Sequence, residues 1–279
     1  MSTVVITEFE FRALRDIIRE RFGIFYDDSK QFLLQSRLQT RLIKTRAGDF
    51  SAYYRYLTLS PEREDEWSEL ASVLSNNETY FFRERAQLDV LATEVLAESL
   101  QSGRPLRVWS SACSTGEEPY SIVMTLLETK RLLPGSLVIN ASDLSPRALD
   151  RAKTGFYREL SFRATLPETI QRYFHPFENG FFVNDEVKRT VTFSRLNLLD
   201  ENAIAGMGLY DAIFCRNVLI YFDKPTQKRV VEAFARALRP GGFLFLGHAE
   251  SIMRVTALYE PVVHPKAIYY RRKADDRTN

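Results

Sequence analysis

From about residue 85 onward, short apolar runs alternate with helical patterns, and this alternation limits the fold more than any other feature of the chain. "LRVWSSA" is followed by the helical "EEPYSIVMTLLETK", "SLVINASD" by "SPRALDRAKTG", and "YDAIFCRN" by "KPTQKRVVEAFARAL"; "GGFLFLGH" and "AIYYRR" close the series. Parallel neighbours need a crossover, and a helix supplies it, so this order predicts an α/β fold with a doubly wound sheet. One segment, "GFFVNDEVKRTVTF" (180–193), breaks the rhythm. Two β-rich runs flank the turn-like pair Asn184-Asp185, which predicts a small antiparallel β insertion at about 173–195.

Ahead of that pattern the periodicity is helical. "TEFEFRALRDIIRERFG" opens with Thr7 and places Glu10 three residues later, a capping-box spacing. Phe11, Leu14, Ile17, Ile18 and Phe22 follow at helical spacing, and Gly23 supplies a stop. "SKQFLLQSRLQTRLIKTRAG", "DFSAYYRYLTL" and "EREDEWSELASVLSN" predict three more helices, and "RERAQLDVLATEVLAESL" one that leads into the sheet. The chain is expected to divide into an N-terminal all-α domain, 1–75, and a second domain, 76–279. The tail "KADDRTN" is expected to fray.

Composition narrows the function. The 279 residues suffice for two domains, and 45% hydrophobic content fits a globular protein. A net charge of +2 gives no reason to expect nucleic acid as a partner. The two cysteines, Cys113 and Cys215, lie in no ligand-like spacing, so neither a disulfide framework nor a metal site is expected. The opening "MSTVVITEFEFRALRD" lacks the order of a signal peptide, and no apolar run reaches the ~18–20 residues of a membrane span. These features lead to the expectation of a cytoplasmic protein with no membrane insertion.

An open α/β sheet binds ligands beyond the carboxyl ends of its strands. The first exit, "VWSSACSTGEEPYS", is a polar turn with Gly116 and a helix beginning at Glu117 or Glu118. It matches neither glycine-rich phosphate fingerprint. Two carboxylates at a helix start repel phosphate and suit a cationic ligand, although they equally complement the helix dipole. The second exit ends in Asp143, placed to hold a ribose diol or to cap the next helix. At the third, Asn197 could meet an adenine edge or simply make a turn. The fourth ends in Arg216-Asn217, with Tyr221 close behind, where Arg216 is either a site residue or a surface charge. Together the exits describe an adenosine site without a phosphate cradle. Adenosine, an amino-acid tail and a positive sulfonium make up S-adenosyl-L-methionine.

"SNNETYFFRE" (75–84), "VWSSACSTGEEPYSI", "ASDLS", "LNLLD", "DAIFCRNVLIYF" and "GGFLFLGHAES", in this order, resemble the CheR-type chemotaxis receptor methyltransferases. The resemblance spans nearly the whole chain. It implies a class I methyltransferase fold and transfer of a methyl group to glutamate side chains on chemoreceptor cytoplasmic helices, with S-adenosyl-L-homocysteine as product. It also implies that Asn77, Thr79 and Arg83 contact or close over the cofactor, and that Glu118, rather than Glu117, lies near its amino-acid tail. Asp143 is implied to hold the ribose, Asn197 and Leu198 to meet the adenine, Arg216 and Asn217 to line the methionine end, and Tyr221 to stand near the methyl group. In some members the β insertion grips a C-terminal pentapeptide of the receptor.

The same resemblance makes the aromatic run Tyr80–Phe82 a wall around the methyl group, with Phe81 or Phe82 and Tyr221 attracting the sulfonium, and makes Arg83 a guide for the incoming glutamate. Such a nucleophile is ionised at neutral pH, its ordinary pKa being ~4.3, so no strong general base is required. Arg37, Arg41 and Lys44 recur at helical spacing with no acid in 31–46, which predicts a basic face for docking an acidic substrate helix. A nucleic-acid methyltransferase and a non-catalytic cofactor-binding scaffold are the competing readings. The loop "RNVLIYF" differs from the N/D-P-P-Y/F loop of adenine amino-methylating enzymes, and Arg83 and Tyr221 argue for catalysis.

Overall fold

The computed structural model describes residues 4–265 and 267–274; the last residues of the tail expected to fray lie outside them. Four helices come first: α1 (Glu8–Phe22), α2 (Gln31–Thr45), α3 (Phe50–Leu59) and α4 (Arg63–Leu74). α1 starts where the sequence predicts. Thr7 accepts from the Glu10 N–H while the Glu10 carboxylate accepts from that of Thr7, and Gly23 ends the helix in the left-handed region. Phe11, Leu14, Ile18 and Phe22 are buried against Leu34, Leu38, Tyr53 and Trp67. Each such side chain contributes roughly 1.5–3 kcal/mol through removal from water.

The remaining helices are α5 (Arg85–Val90), α6 (Leu96–Ser102), α7 (Glu117–Glu128), α8 (Pro146–Thr154), α9 (Pro167–Tyr173), α10 (Asp185–Arg189), α11 (Glu201–Gly206) and α12 (Lys224–Ala237). The strands are β1 (Leu106–Ser111), β2 (Leu137–Asp143), β3 (Phe156–Tyr157), β4 (Phe174–Phe177), β5 (Gly180–Val183), β6 (Val191–Arg195), β7 (Tyr210–Cys215), β8 (Leu238–Leu246), β9 (Tyr259–His264) and β10 (Ala267–Arg272). Seven of them form one sheet in the order β6-β2-β1-β7-β8-β10-β9. β6, β2, β1, β7 and β8 are parallel, and β10 runs antiparallel to both β8 and β9. Both faces are covered, and the side chains alternate between them. Val108, Ala212 and Phe214 pack on one side; Trp109, Ile213 and Cys215 pack on the other. Strand order reverses between β1 and β7, and there the strand ends open a crevice.

The insertion differs from its predicted form. Asn184-Asp185 is not a hairpin turn: Asn184 immediately precedes the short helix α10, its amide donating to the Arg172 carbonyl (2.8 Å). The second β-rich run, β6, is the outer parallel strand of the main sheet, paired with β2 from Ile139↔Val191 to Asp143↔Arg195. The antiparallel unit lies earlier, as β3-β5-β4, with Phe174↔Val183 and Phe177↔Gly180 in the hairpin. A β-rich run after a polar pair has the same local character whether it folds back or crosses to another sheet. β9, the partner of β10, was not among the predicted strands; exposed Glu260, Pro261 and Val263 hide its alternation.

Candidate active site

The crevice at the reversal point is lined from five directions: the linker between α4 and α5, the turn after β1, the ends of β2 and β6, and the loop after β7. After β1 the chain turns sharply, with Ala112, Ser114 and Gly116 all at positive φ. Gly116 is required, since a Cβ there would come 2.9 Å from both the Ala152 Cβ and the Tyr157 hydroxyl. The turn is pinned by three bonds: Cys113 N–H to the Ser142 carbonyl (2.8 Å), Ser114 N–H to Asp143 Oδ2 (2.8 Å), and the Tyr157 hydroxyl to the Thr115 carbonyl (2.6 Å).

Asp143 ends β2 and lines the crevice. Its Oδ2 accepts from Ser114 and its Oδ1 from the Ser145 N–H (2.8 Å). A carboxylate has about four acceptor positions, so capacity remains. Burial raises its pKa, and the backbone N–H donors of Ser145 and Ser114 oppose that rise. Glu118 and Glu117 diverge because successive helical residues point about 100° apart. Glu118 lines the crevice, accepting from the Ser110 hydroxyl (2.6 Å) and Arg216 Nη1 (3.1 Å). Glu117 turns away to Thr115 (2.7 Å) and Ser161 (3.0 Å). Burial raises both carboxyls; Arg216 is the strongest opposing influence on Glu118.

Arg216 is buried and held between two acids, Glu118 and Glu84 (3.3 Å), while its Nη2 donates to the Arg83 carbonyl (2.6 Å). Among the described residues, its Nε and the Asn217 Oδ1 are buried without a hydrogen-bond partner. Asn217 also sits at positive φ, a conformation asparagine tolerates better than most residues. Asn197 and Leu198 form another wall; the Asn197 amide donates to the Arg21 carbonyl (2.7 Å) and so ties the wall to α1. From the linker come Asn77, Thr79, Tyr80 and Arg83. Asn77 Oδ1 accepts from the Ser114 hydroxyl (3.2 Å), and the Asn76 amide donates to the Tyr221 hydroxyl (3.0 Å). Linker and loop therefore meet across the crevice.

Two family descriptions match the chain: "CheR methyltransferase, all-alpha domain" over residues 10–75, and "CheR methyltransferase, SAM binding domain" over residues 77–268. The chain belongs to the CheR methyltransferase family. It is 36% identical to Chemotaxis protein methyltransferase 2 of Vibrio cholerae, over 100% of this chain and 99% of that one. It is 39% identical to Chemotaxis protein methyltransferase 2 of Pseudomonas aeruginosa, covering 92% and 91%, and 38% identical to the Escherichia coli Chemotaxis protein methyltransferase, covering 89% and 86%. The protein is thus an S-adenosyl-L-methionine-dependent methyltransferase of chemotaxis, with a class I methyltransferase sheet and an all-α N-terminal part. The crevice suits that cofactor chemically: it offers carboxylates with spare acceptor positions and an unpartnered amide oxygen.

Every residue assigned to the cofactor by resemblance to the CheR family lines this one crevice, as does Tyr221. Two other expectations are corrected. The basic docking face does not exist as a free surface. Arg41 is buried, with Nε and Nη2 on Glu66 (2.9 and 2.6 Å) and Nη1 on Glu69 (3.2 Å). Arg37 turns inward to the Leu74 carbonyl, which leaves only Lys44 exposed. Helical spacing aligns side chains but does not say which face the neighbouring helices cover. Phe81 and Phe82, likewise, do not wall the crevice. Phe81 is fully buried against Tyr157, Phe162 and Phe174, and Tyr80 is the aromatic that lines the site.

Glu250 escaped the sequence reading, although "GHAES" contains it. Its two oxygens accept the N–H groups of Asn217 (2.8 Å), Val218 (2.9 Å), Leu219 (2.7 Å) and Gly247 (2.6 Å). Burial raises its carboxyl while these donors oppose the rise. The loop carrying Asn217 and Tyr221 is shaped around this one side chain. A Cβ on Gly247 would lie 2.6 Å from Asn217 Nδ2. No local pattern marks such a carboxylate, because its donors lie some thirty residues upstream as well as three residues away.

Proposed function

We propose that this methyltransferase esterifies glutamate side chains on chemoreceptor cytoplasmic helices. The observation that carries this reading is Arg83, which lines the crevice yet pairs with no carboxylate among the described residues; its Nη1 donates only to the Glu78 carbonyl (3.1 Å). A cation left without an acidic partner at the site suits an incoming carboxylate. No histidine lines the crevice among the described residues, which suits a nucleophile that arrives already ionised.

S-Adenosyl-L-methionine, when bound, supplies a methyl group on a positive sulfur. In this reading Asp143 accepts from the ribose hydroxyls, Asn197 and Leu198 frame the adenine, and Glu118 accepts from the amino end. Arg216 has its charge taken up by Glu84 and Glu118, so its part is to hold Glu118 in place at the methionine end beside Asn217. Asn77 and Thr79 close the linker over the site. Arg83 orients the acceptor carboxylate, and Tyr221, fixed by Asn76, stands beside the methyl group. Positioning of this kind accounts for part of the ~7–11 kcal/mol that orientation can supply. Among the described residues the hairpin edge at β4 is paired only on its β5 side, and we place there a receptor's C-terminal pentapeptide where a receptor carries one. No helix among the described residues is long and apolar enough to cross a membrane; we place the enzyme in the cytoplasm, where the receptor helices lie.

The test is methyl transfer to a purified receptor cytoplasmic fragment. Label released by mild alkali, and lost when the acceptor glutamates are changed to alanine, supports the ester. Alkali-stable label would place the methyl group on nitrogen or sulfur and overturn it.

A further inference from the structure

We propose that Arg163, working beside Arg83, receives a second carboxylate of the protein substrate, one that is not itself methylated. Arg163 follows the short turn Glu159–Phe162, outside the crevice but at its rim. Its guanidinium lies 3.7 Å from the centre of the Tyr80 ring, and that of Arg83 lies 5.7 Å from the same centre. Tyr80 itself lines the crevice. Two like charges thus share one aromatic ring at the entrance. The exposed Glu78 lies 3.3 Å from Arg163, and the charge of Arg163 also reaches the buried Glu117, whose oxygens are taken up by Thr115 and Ser161.

The position is built rather than incidental. The Phe81 N–H donates to the Ser161 carbonyl (2.9 Å), the Phe81 ring is buried beside Phe162, and the Ser161 hydroxyl donates to Glu117 (3.0 Å). These contacts fix the turn to the linker and present Arg163 next to the residue assigned to the acceptor. Arg163 Nη1 also donates to the Leu160 carbonyl (3.1 Å), which limits its swing. Stacking keeps the guanidinium edge parallel to the ring and turned outward, where an incoming carboxylate can join or replace the exposed Glu78 on Nη2. On a helix, side chains three or four residues apart have Cβ atoms about 5–6 Å apart. An acid one turn from the methylated glutamate therefore falls within reach of the second guanidinium. Arg163 is a specificity determinant in this account and touches no reacting atom.

The inference rests on the glutamate-methylation reading, and one experiment separates the two. Methylation kinetics are measured on a receptor cytoplasmic fragment with a single acceptor glutamate, and on the same fragment with its neighbouring Asp and Glu changed to Asn and Gln. Arg163→Gln is expected to raise KM for the acidic fragment about tenfold, the loss of one charge-assisted contact. It should leave kcat, S-adenosyl-L-homocysteine affinity and KM for the neutralised fragment unchanged. Arg163→Lys should restore only part of the loss. An equal KM rise on both fragments, an unchanged KM on the acidic one, or weakened cofactor binding would overturn the assignment. If wild-type enzyme transfers no alkali-labile methyl group to either fragment, the glutamate reading itself fails, and this inference with it.

Discussion

In the N-terminal helices, Arg41, Glu66 and Tyr53 are buried together and their polar ends meet: the guanidinium lies along the Glu66 carboxylate, and the Tyr53 hydroxyl donates to it (2.6 Å). In the crevice, Arg216 and Asn217 also bury polar atoms, yet each leaves one without a hydrogen bond among the described residues, as does Glu84 behind Arg216. The first set is closed, and burial with Glu66 beside it raises the Tyr53 pKa. The second set has capacity to spare. A folded protein seldom leaves buried polar atoms unpaired, so a surplus that faces an open crevice suits a bound ligand. The difference teaches that buried charge alone does not locate a functional site; incomplete pairing does so only where it borders an open crevice, since, among the described residues, Gln87, Ser111 and Thr165 also bury unpaired polar atoms away from this one.

The contrast can be broken at either end. Arg41→Ala leaves Glu66 buried without its counterion and is expected to cost ~3–5 kcal/mol in urea unfolding, the largest stability loss foreseen. Cofactor affinity of the protein that remains folded should not change; a variant of normal stability would place the network at the surface. Glu250→Gln sets an amide group against backbone donors and loosens the loop that carries Asn217 and Tyr221. It should lower kcat about a hundredfold while lowering stability by ~1–3 kcal/mol. A normal kcat would show that the loop keeps its shape without the carboxylate.

Acid sharpens the comparison. Burial acts to raise Glu10 in α1, but the Thr7 and Ser51 donors outweigh it and hold that carboxyl low. Its contribution to stability is present at neutral pH and is lost only as pH falls through its lowered pKa. Asp143 and Glu118 are shifted the other way: their raised pKa values favour folding below the usual carboxylate range, and that contribution is lost as pH rises through them. As pH falls from neutral, the crevice should therefore lose the charges that favour a cationic cofactor before α1 loses its cap. Calorimetric titrations and melts across that range should show affinity falling first; a simultaneous loss would refute the ordering. The smallest effect belongs to Lys44→Glu, since Lys44 is the exposed remnant of the expected basic face. Neither KM nor stability should move measurably in methylation assays and melts.

Much of this was legible in the sequence. The short apolar run in "DAIFCRN" and the Thr7–Glu10 box are local signals, and local contacts honour them. The acids and amides at strand ends were legible because a doubly wound sheet delivers strand ends to one crevice. What could not be read depends on partners distant in the chain. Arg41 is buried by Glu66 and Tyr53 from other helices, Glu250 serves a loop about thirty residues upstream, and β6 joins β2 rather than β5. Phe81 carried the same lesson: a site aromatic and a packing aromatic look alike until the insertion closes over one of them.

The most direct test of the central claim is a calorimetric titration of S-adenosyl-L-homocysteine into wild type, Asp143→Ala and Arg41→Ala. The account predicts saturable binding to wild type. It predicts a loss of about ten- to a hundredfold in Asp143→Ala, the loss of a hydrogen-bonded charge, and wild-type affinity in folded Arg41→Ala. Undiminished binding to Asp143→Ala, or no binding to folded wild type, would contradict the placement of the cofactor at the strand exits.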